Sequence, residues 1–257
     1  MPEIRRSRRQ QRDIQLVRLP DGRQIELLRV RDPRARRLRL LVSSRGPRLT
    51  IPPAASIDQA HVFVEHHLDW LAAQVPDPGL QATRAHPFTP ALAGHVSLRG
   101  QPLALDWRTS PWLQIHQQED RLVIDLPEQT PPATLRRALH DFLVAQARAD
   151  IGRWLLRYLP GLPRTPRSWR IRPLSSLWGS LSSSGAMSLD LALILAPSAA
   201  FDYVLVHELC HLIHANHAPA FWQEVEQRCP DWKRQRQWLN THGLELKHTL
   251  RQLLATG

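Results

Sequence analysis

Apolar and polar residues alternate through "DIQLVRLPDGRQIELLRV" (13–30), on both sides of Asp21-Gly22. A period of two interrupted by Asp-Gly predicts a β-hairpin. "RRLRLLVSS" and "PRLTIPP" predict two further strands, parted at Arg45-Gly46-Pro47. The period then lengthens. "SIDQAHVFVEHHLDWLAAQ" (56–74) sets Val62, Phe63, Leu68 and Leu71 toward a core behind Ser56 as N-cap, which predicts one helix. Between Gly94 and Leu126 the pieces "HVSLRG", "LALDW", "WLQIHQ" and "RLVIDLP" predict a β-meander that Pro131-Pro132 ends. A long helix follows, with Leu135, Leu139, Phe142, Leu143, Ala147, Ile151, Trp154 and Leu155 along one face. "PGLPRTP" breaks it, "SWRIRPL" predicts a strand, and "SSLWGSLSSSGAMSLDLALIL" predicts a loop and then a strand. Three helices complete the pattern. One opens at Pro197-Ser198, one spans about Pro219 to Arg228, and "DWKRQRQWLNTHG" ends at Gly243 as a glycine cap. No internal repeat is evident in the sequence.

Composition changes this picture little. The longest apolar run, "LALILA" (191–196), is too short to span a bilayer, and no apolar segment follows the basic "RRSRRQQRD". A cytoplasmic protein with no membrane contact is expected. Cys210 and Cys229 do not make a disulfide framework. The net charge of +11 is uneven: residues 1–45 hold 14 arginines against five acids. That segment can contact nucleic acid or another polyanion. It reads equally as a solvated sheet face with a disordered basic arm over residues 1–13. No individual nucleic-acid-binding residue stands out.

Chemistry concentrates in "VLVHELCHLIHANHAPAFW" (204–222). His207, Glu208 and His211 form H-E-x-x-H. On a helix, residues i and i+4 share a face, so both imidazoles can reach one Zn²⁺. Glu208 is rotated roughly 100° from His207, beside the metal and placed to handle a water. The apolar flanks Tyr203 to Val206, Leu209, Leu212 and Ile213 predict burial, where two histidines and a glutamate need partners. For a third ligand, His217 is favoured over His214, because Asn216 can take the left-handed conformation that ends a helix and Pro219 prevents its continuation. Glu224 and Glu226 remain as alternatives. Cys210 points away from both histidines and is assigned to the core. The His66-His67 pair is assigned to the surface or an interface rather than to a metal. Three imidazoles leave one zinc position open, which predicts a catalytic site with one Zn²⁺ per chain and Glu208 as acid/base.

"DYVLVHELCHLIHANHAPAFW", "CPDWKRQRQWL", "WGS" and "LILAP" together resemble the YgjP-like metal-dependent hydrolases, relatives of the SprT-like and WLM-type metallopeptidases. "RARRLRLLVSSRGPRLTIPP", followed by a helix ending in "DWL", resembles the family's N-terminal portion more loosely. The resemblance implies that His207, His211 and His217 bind metal and that Glu208 is catalytic. The family segment R-W-G-S-C is changed here, with Leu177 and Leu181 in place of its arginine and cysteine. The expected fold is α+β, a β-rich N-terminal part packed with a helical zincin-like part. The expected boundaries are 14–130 for the β-rich portion with one helix, 131–245 for the metal-binding portion and 246–257 for a tail. Residues 14–245 would then form one YgjP-like unit.

Three functions are compatible with these residues. The first is a zinc metallopeptidase acting on peptides. The second is a metal-dependent nucleoside triphosphate (UTP) pyrophosphatase, an activity the resemblance also implies, with Arg170, Arg172 and the Ser180–Gly185 loop as phosphate partners. The third is a nucleic-acid-associated module held by residues 1–45. Trp178, Gly179 and Ser180 either line the cleft, presenting backbone N–H groups to an oxyanion, or anchor a turn to the core.

Overall fold

The computed structural model describes residues 11–43, 46–75, 88, 94–174 and 177–255. The greater part of the expected basic arm, residues 1–10, lies outside them; Gln11 to Asp13 already belong to a strand. The class is α+β, and contacts divide the chain into two compact units, Met1–Gln81 and Ala82–Gly257. The division therefore falls well before residue 130. Val96, Leu98, Leu103, Leu122 and Ile124 share one core with Leu135, Leu139 and Leu143, which ties residues 95–126 to the helices that follow them.

In the first unit β1 (Gln11–Arg18) and β2 (Gln24–Arg31) form the predicted hairpin, and β3 (Arg39–Ser43) pairs antiparallel with β4 (Gly46–Ile51). β2 and β4 are parallel, so the order is β1-β2-β4-β3. Val17, Ile25, Leu27, Leu49 and Ile51 pack with Ala60, Val64 and Leu71 of α1 (Ile57–Glu65) and α2 (Leu68–Gln74). Ser56 makes a capping box with Gln59. The single helix expected over 56–74 is broken at His66-His67. His67 Nδ1 lies 2.7 Å from the Phe63 carbonyl, the acceptor its own backbone N–H would use in a continuing helix, and that N–H turns to Val64 O instead.

In the second unit β5 (His95–Leu98), β6 (Gln101–Thr109), β7 (Gln114–Gln118) and β8 (Arg121–Leu126) form a sheet of order β5-β6-β8-β7. β6 and β8 are parallel and the other two pairs antiparallel. This is no meander. Alternation fixes which face a strand buries but not which neighbour it pairs with. The order and pairing senses repeat those of the first unit, a repeat the residues do not reveal.

The long helix α3 (Pro132–Tyr158) buries Leu135, Leu139, Leu143, Ala147, Ile151 and Leu155. β9 (Ser168–Arg172), β10 (Gly179–Leu181) and β11 (Ala186–Asp190) make a small sheet of order β10-β11-β9. The run Leu191–Leu195 is a buried 3-10 turn rather than the end of a strand, begun by Asp190, whose carboxylate accepts from Ala192 N–H. The β5–β6 tip docks there: Arg99 N–H donates to Ile194 O and Gly100 N–H to Leu195 O. This seats the start of α4 (Ser198–Cys210), which is mostly apolar and largely buried. α5 (Pro219–Arg228) follows. α6 (Trp232–Leu253) runs straight through Gly243 and turns most of the expected tail into helix, with Lys247, Leu250 and Leu253 buried. No described helix is long and apolar enough to cross a membrane.

Candidate metal centre

α4 carries His207 and Glu208 in its last turn, and His211 caps it. The helix ends here, earlier than Asn216. Leu212 N–H turns to Leu209 O and Ile213 N–H to Cys210 O, tightening the exit. No described residue between 211 and 218 takes a left-handed conformation. The turn is closed instead by the Asn216 side chain, which accepts from Ala218 N–H at 3.1 Å. Pro219 then opens α5.

This early exit folds His217 back over the helix. His217 Nε2 lies 3.1 Å from His207 Nε2, and one ring nitrogen from each of His207, His211 and His217 falls within 4.8 Å of the others. His211 Nδ1 is 3.1 Å from His214 O. A carbonyl only accepts, so Nδ1 carries the proton and Nε2 keeps its lone pair. His214 thus contributes its backbone, and its ring is outside the group. Phe221 of α5 packs against all three imidazoles, at ring-centre distances of 4.9, 4.6 and 4.8 Å, and Trp222 stacks on His217 at 5.7 Å.

The electrostatics favour neutral nitrogen donors. Burial, then the charges of His211, His217 and Arg236, pushes the His207 imidazole down to about 3. Burial, His211 and Arg236 also lower His217. Three rings that converge their nitrogens, two of them held neutral by burial, fit a divalent ion. Glu224 is paired with Arg228, and Glu226 lies 3.7 Å from Lys233, so neither joins the group. Cys210 is buried in the core as expected, its thiol pushed up to about 12 by burial.

Glu208 is 5% exposed, and burial raises its carboxyl to about 7. Gly179 explains how so close a neighbour fits: a Cβ there would lie 2.6 Å from Glu208 Oε1 and 2.7 Å from its Cγ. Backbone of β10 therefore lies directly on the carboxylate. Trp178 is the anchor of this turn. Its ring lies 4.4 Å beneath Lys247 Nζ and packs on Gly243, where a Cβ would come within 2.6 Å of the indole. Gly243 is there for close approach, which is why α6 does not end at it. Lys247 also donates to Leu174 O and Leu177 O, at 3.0 and 2.9 Å, and pairs with Asp190, whose N–H bonds Trp178 O. Burial pushes Lys247 down and Asp190 up, and their mutual attraction opposes both shifts. Sequence reasoning missed Lys247, Asp190 and Gly243, which are spread over more than fifty positions. The local signal that could have found them is a lysine set among Leu246, Leu250 and Leu253.

Arg170 and Arg172 are exposed on β9, which β11 separates from β10. The Ser182–Gly185 turn is closed on itself by Gly185 N–H to Ser182 O and Ala186 N–H to Ser182 Oγ. In the first unit His66 is exposed and the His67 ring packs at a tilt against Phe63.

A buried helix ending in two histidines, a third folded back by the next turn and an adjacent buried glutamate make, in an α+β protein, a group that could hold a metal ion. Residues 36–242 match the family described as YgjP-like, metallopeptidase domain, and the chain belongs to it. By family it is a metal-dependent hydrolase. Neither the curated proteins nor the solved structures contain a match.

Proposed function

We propose that the protein is a zinc-dependent peptidase in which His207, His211 and His217 hold one Zn²⁺ and Glu208 is the catalytic acid/base. The observation that carries this reading is the convergence of three ring nitrogens within 4.8 Å, next to a carboxyl raised to about 7. Zinc at such a site supplies Lewis acidity, polarising a carbonyl and bringing the pKa of a water to about 7. Glu208, tuned close to neutrality, accepts a proton from water and returns it to the leaving amine. Gly179 keeps the peptide backbone of β10, instead of a side chain, against that carboxylate.

The geometry favours a peptide over a nucleotide. β10 ends its sheet, and a strand edge offers N–H and C=O groups to an extended chain. The arginines suggested for a triphosphate lie on β9, at the far edge of the same sheet. The deciding experiment incubates the zinc-loaded protein with unfolded casein and, separately, with UTP, each beside Glu208→Gln. Casein cleavage that disappears in the variant supports the reading. UTP hydrolysis without casein cleavage overturns it.

A further inference from the structure

Arg236 is exposed on α6, and its guanidinium sits 5.3 Å above the centre of Trp222. Trp222 is held on its other contacts by stacking on Trp232 at 4.3 Å and on His217 at 5.7 Å. The indole is a fixed platform, so the cation above it is held in place by a cation–π contact. Among the described residues no carboxylate lies within ion-pair distance of Arg236. Its neighbour Lys233 differs, being paired with Glu226 at 3.7 Å. The ring that stacks on His217 therefore carries a positioned cation with no ion-pair partner among the described residues.

We propose that Arg236 is a specificity residue that binds a carboxylate of the peptide substrate, within about two residues of the bond to be cleaved, the spacing that extended peptide geometry gives. The inference rests on the peptidase reading. One aromatic ring separates Arg236 from the histidines, which sets it beyond the reacting atoms and beside the substrate. A planar guanidinium can grip a carboxylate through two parallel N–H···O bonds, which a lysine cannot reproduce. The carboxylate has two sources, the C-terminus of a short peptide or an Asp or Glu side chain.

The test measures binding to zinc-loaded Glu208→Gln protein, so that cleavage does not interfere. The probes are an N-acetylated Gly-Leu hexapeptide with a free C-terminus, its C-terminal amide, and that amide with one internal Leu replaced by Glu. Binding is followed by Trp fluorescence and equilibrium dialysis. Arg236→Gln should weaken at least one of the two anionic peptides by about tenfold or more, and leave the neutral amide within about twofold. Which anionic peptide responds identifies the source. Arg236→Lys should recover only part of the loss. Equal affinity of the Arg236-containing protein for charged and neutral peptides overturns the proposal, as does an equal loss for all three in Arg236→Gln. Failure of the peptidase reading is separately visible, as absence of Glu208-dependent casein cleavage while the binding preference stands.

Discussion

The two four-stranded sheets share one strand order and one set of pairing senses, and each feeds a helix, yet only the second leads to a site. Even the anchoring of the first hairpin is parallel. Arg23, just after the β1–β2 turn, donates to Ala72 O and Val75 O at the end of α2. Arg99, at the β5–β6 tip, bonds Asp150 and Gln146 of α3. The difference lies in what the helix does next. In the first unit it breaks after nine residues and His67, at the break, is spent on the Phe63 carbonyl. In the second it runs 27 residues and supplies one wall of a core in which most of α4 is buried. A buried helix end is what makes histidine and glutamate costly unless they converge on something. A repeated scaffold thus acquires chemistry where burial is deep enough to tune side chains.

The largest expected effect breaks the second unit's chemistry and leaves its fold. Glu208→Gln should lower hydrolysis by about 10²–10⁴-fold with zinc content unchanged, measured by casein turnover and metal analysis. His207→Ala, His211→Ala and His217→Ala should each lose zinc as well, whereas His214→Ala should keep it, because only its backbone carbonyl is used. Full zinc retention in His217→Ala would remove the third ligand from the site.

Next comes the glycine on which the carboxylate rests. Gly179→Ala puts a methyl group 2.6 Å from Glu208 Oε1, so activity should fall by at least about tenfold, the loss that follows when a reacting group is displaced. The matching change in the first unit, Gly22→Ala, meets open space at φ +87. It should cost about 1 kcal/mol of stability and no activity. Similar activity losses in the two variants would show that Gly179 matters only for folding.

The Lys247–Asp190 pair gives a stability effect of comparable weight. Lys247→Met leaves Asp190, 1% exposed, without its cation, and should destabilise by about 3–5 kcal/mol in thermal or denaturant unfolding. Arg23→Met in the first unit loses bonds that are nearer solvent and should cost about 1 kcal/mol.

A pH experiment on zinc-free protein reports Glu208 directly. Its folded carboxyl is raised from 4.5 to about 7 by burial, so its protonated form favours the fold. That contribution is complete below about pH 4.5 and fades as pH rises through about 7. Zinc-free Glu208→Gln should therefore gain up to about 3 kcal/mol over its parent at pH 8 and little at pH 5. The smallest effect belongs to the arm. Removing residues 1–10 should leave zinc content, stability and turnover unchanged, and unaltered retention on heparin would show that its charge engages no polyanion.

The sequence alone determined the elements that depend on neighbours along the chain. The hairpin at Asp21-Gly22, the cap at Ser56, the long helix after Pro132 and the H-E-x-x-H face all follow from periods of two and 3.6 and from local turn chemistry. His217 was favoured on the expectation of a left-handed turn at Asn216 before Pro219; the structure brings it beside His207 by an earlier exit at His211 instead. Tertiary structure decided what depends on residues far apart. Strand order is one case: alternation is the same in a meander and in β5-β6-β8-β7. The break at His66-His67 is another, set by a side chain competing for a backbone acceptor. The support of Glu208 is the clearest. Gly179, Trp178, Asp190, Gly243 and Lys247 come together only because three elements meet at van der Waals distance. No period along the chain encodes such an approach, because it is fixed by the space left between packed side chains.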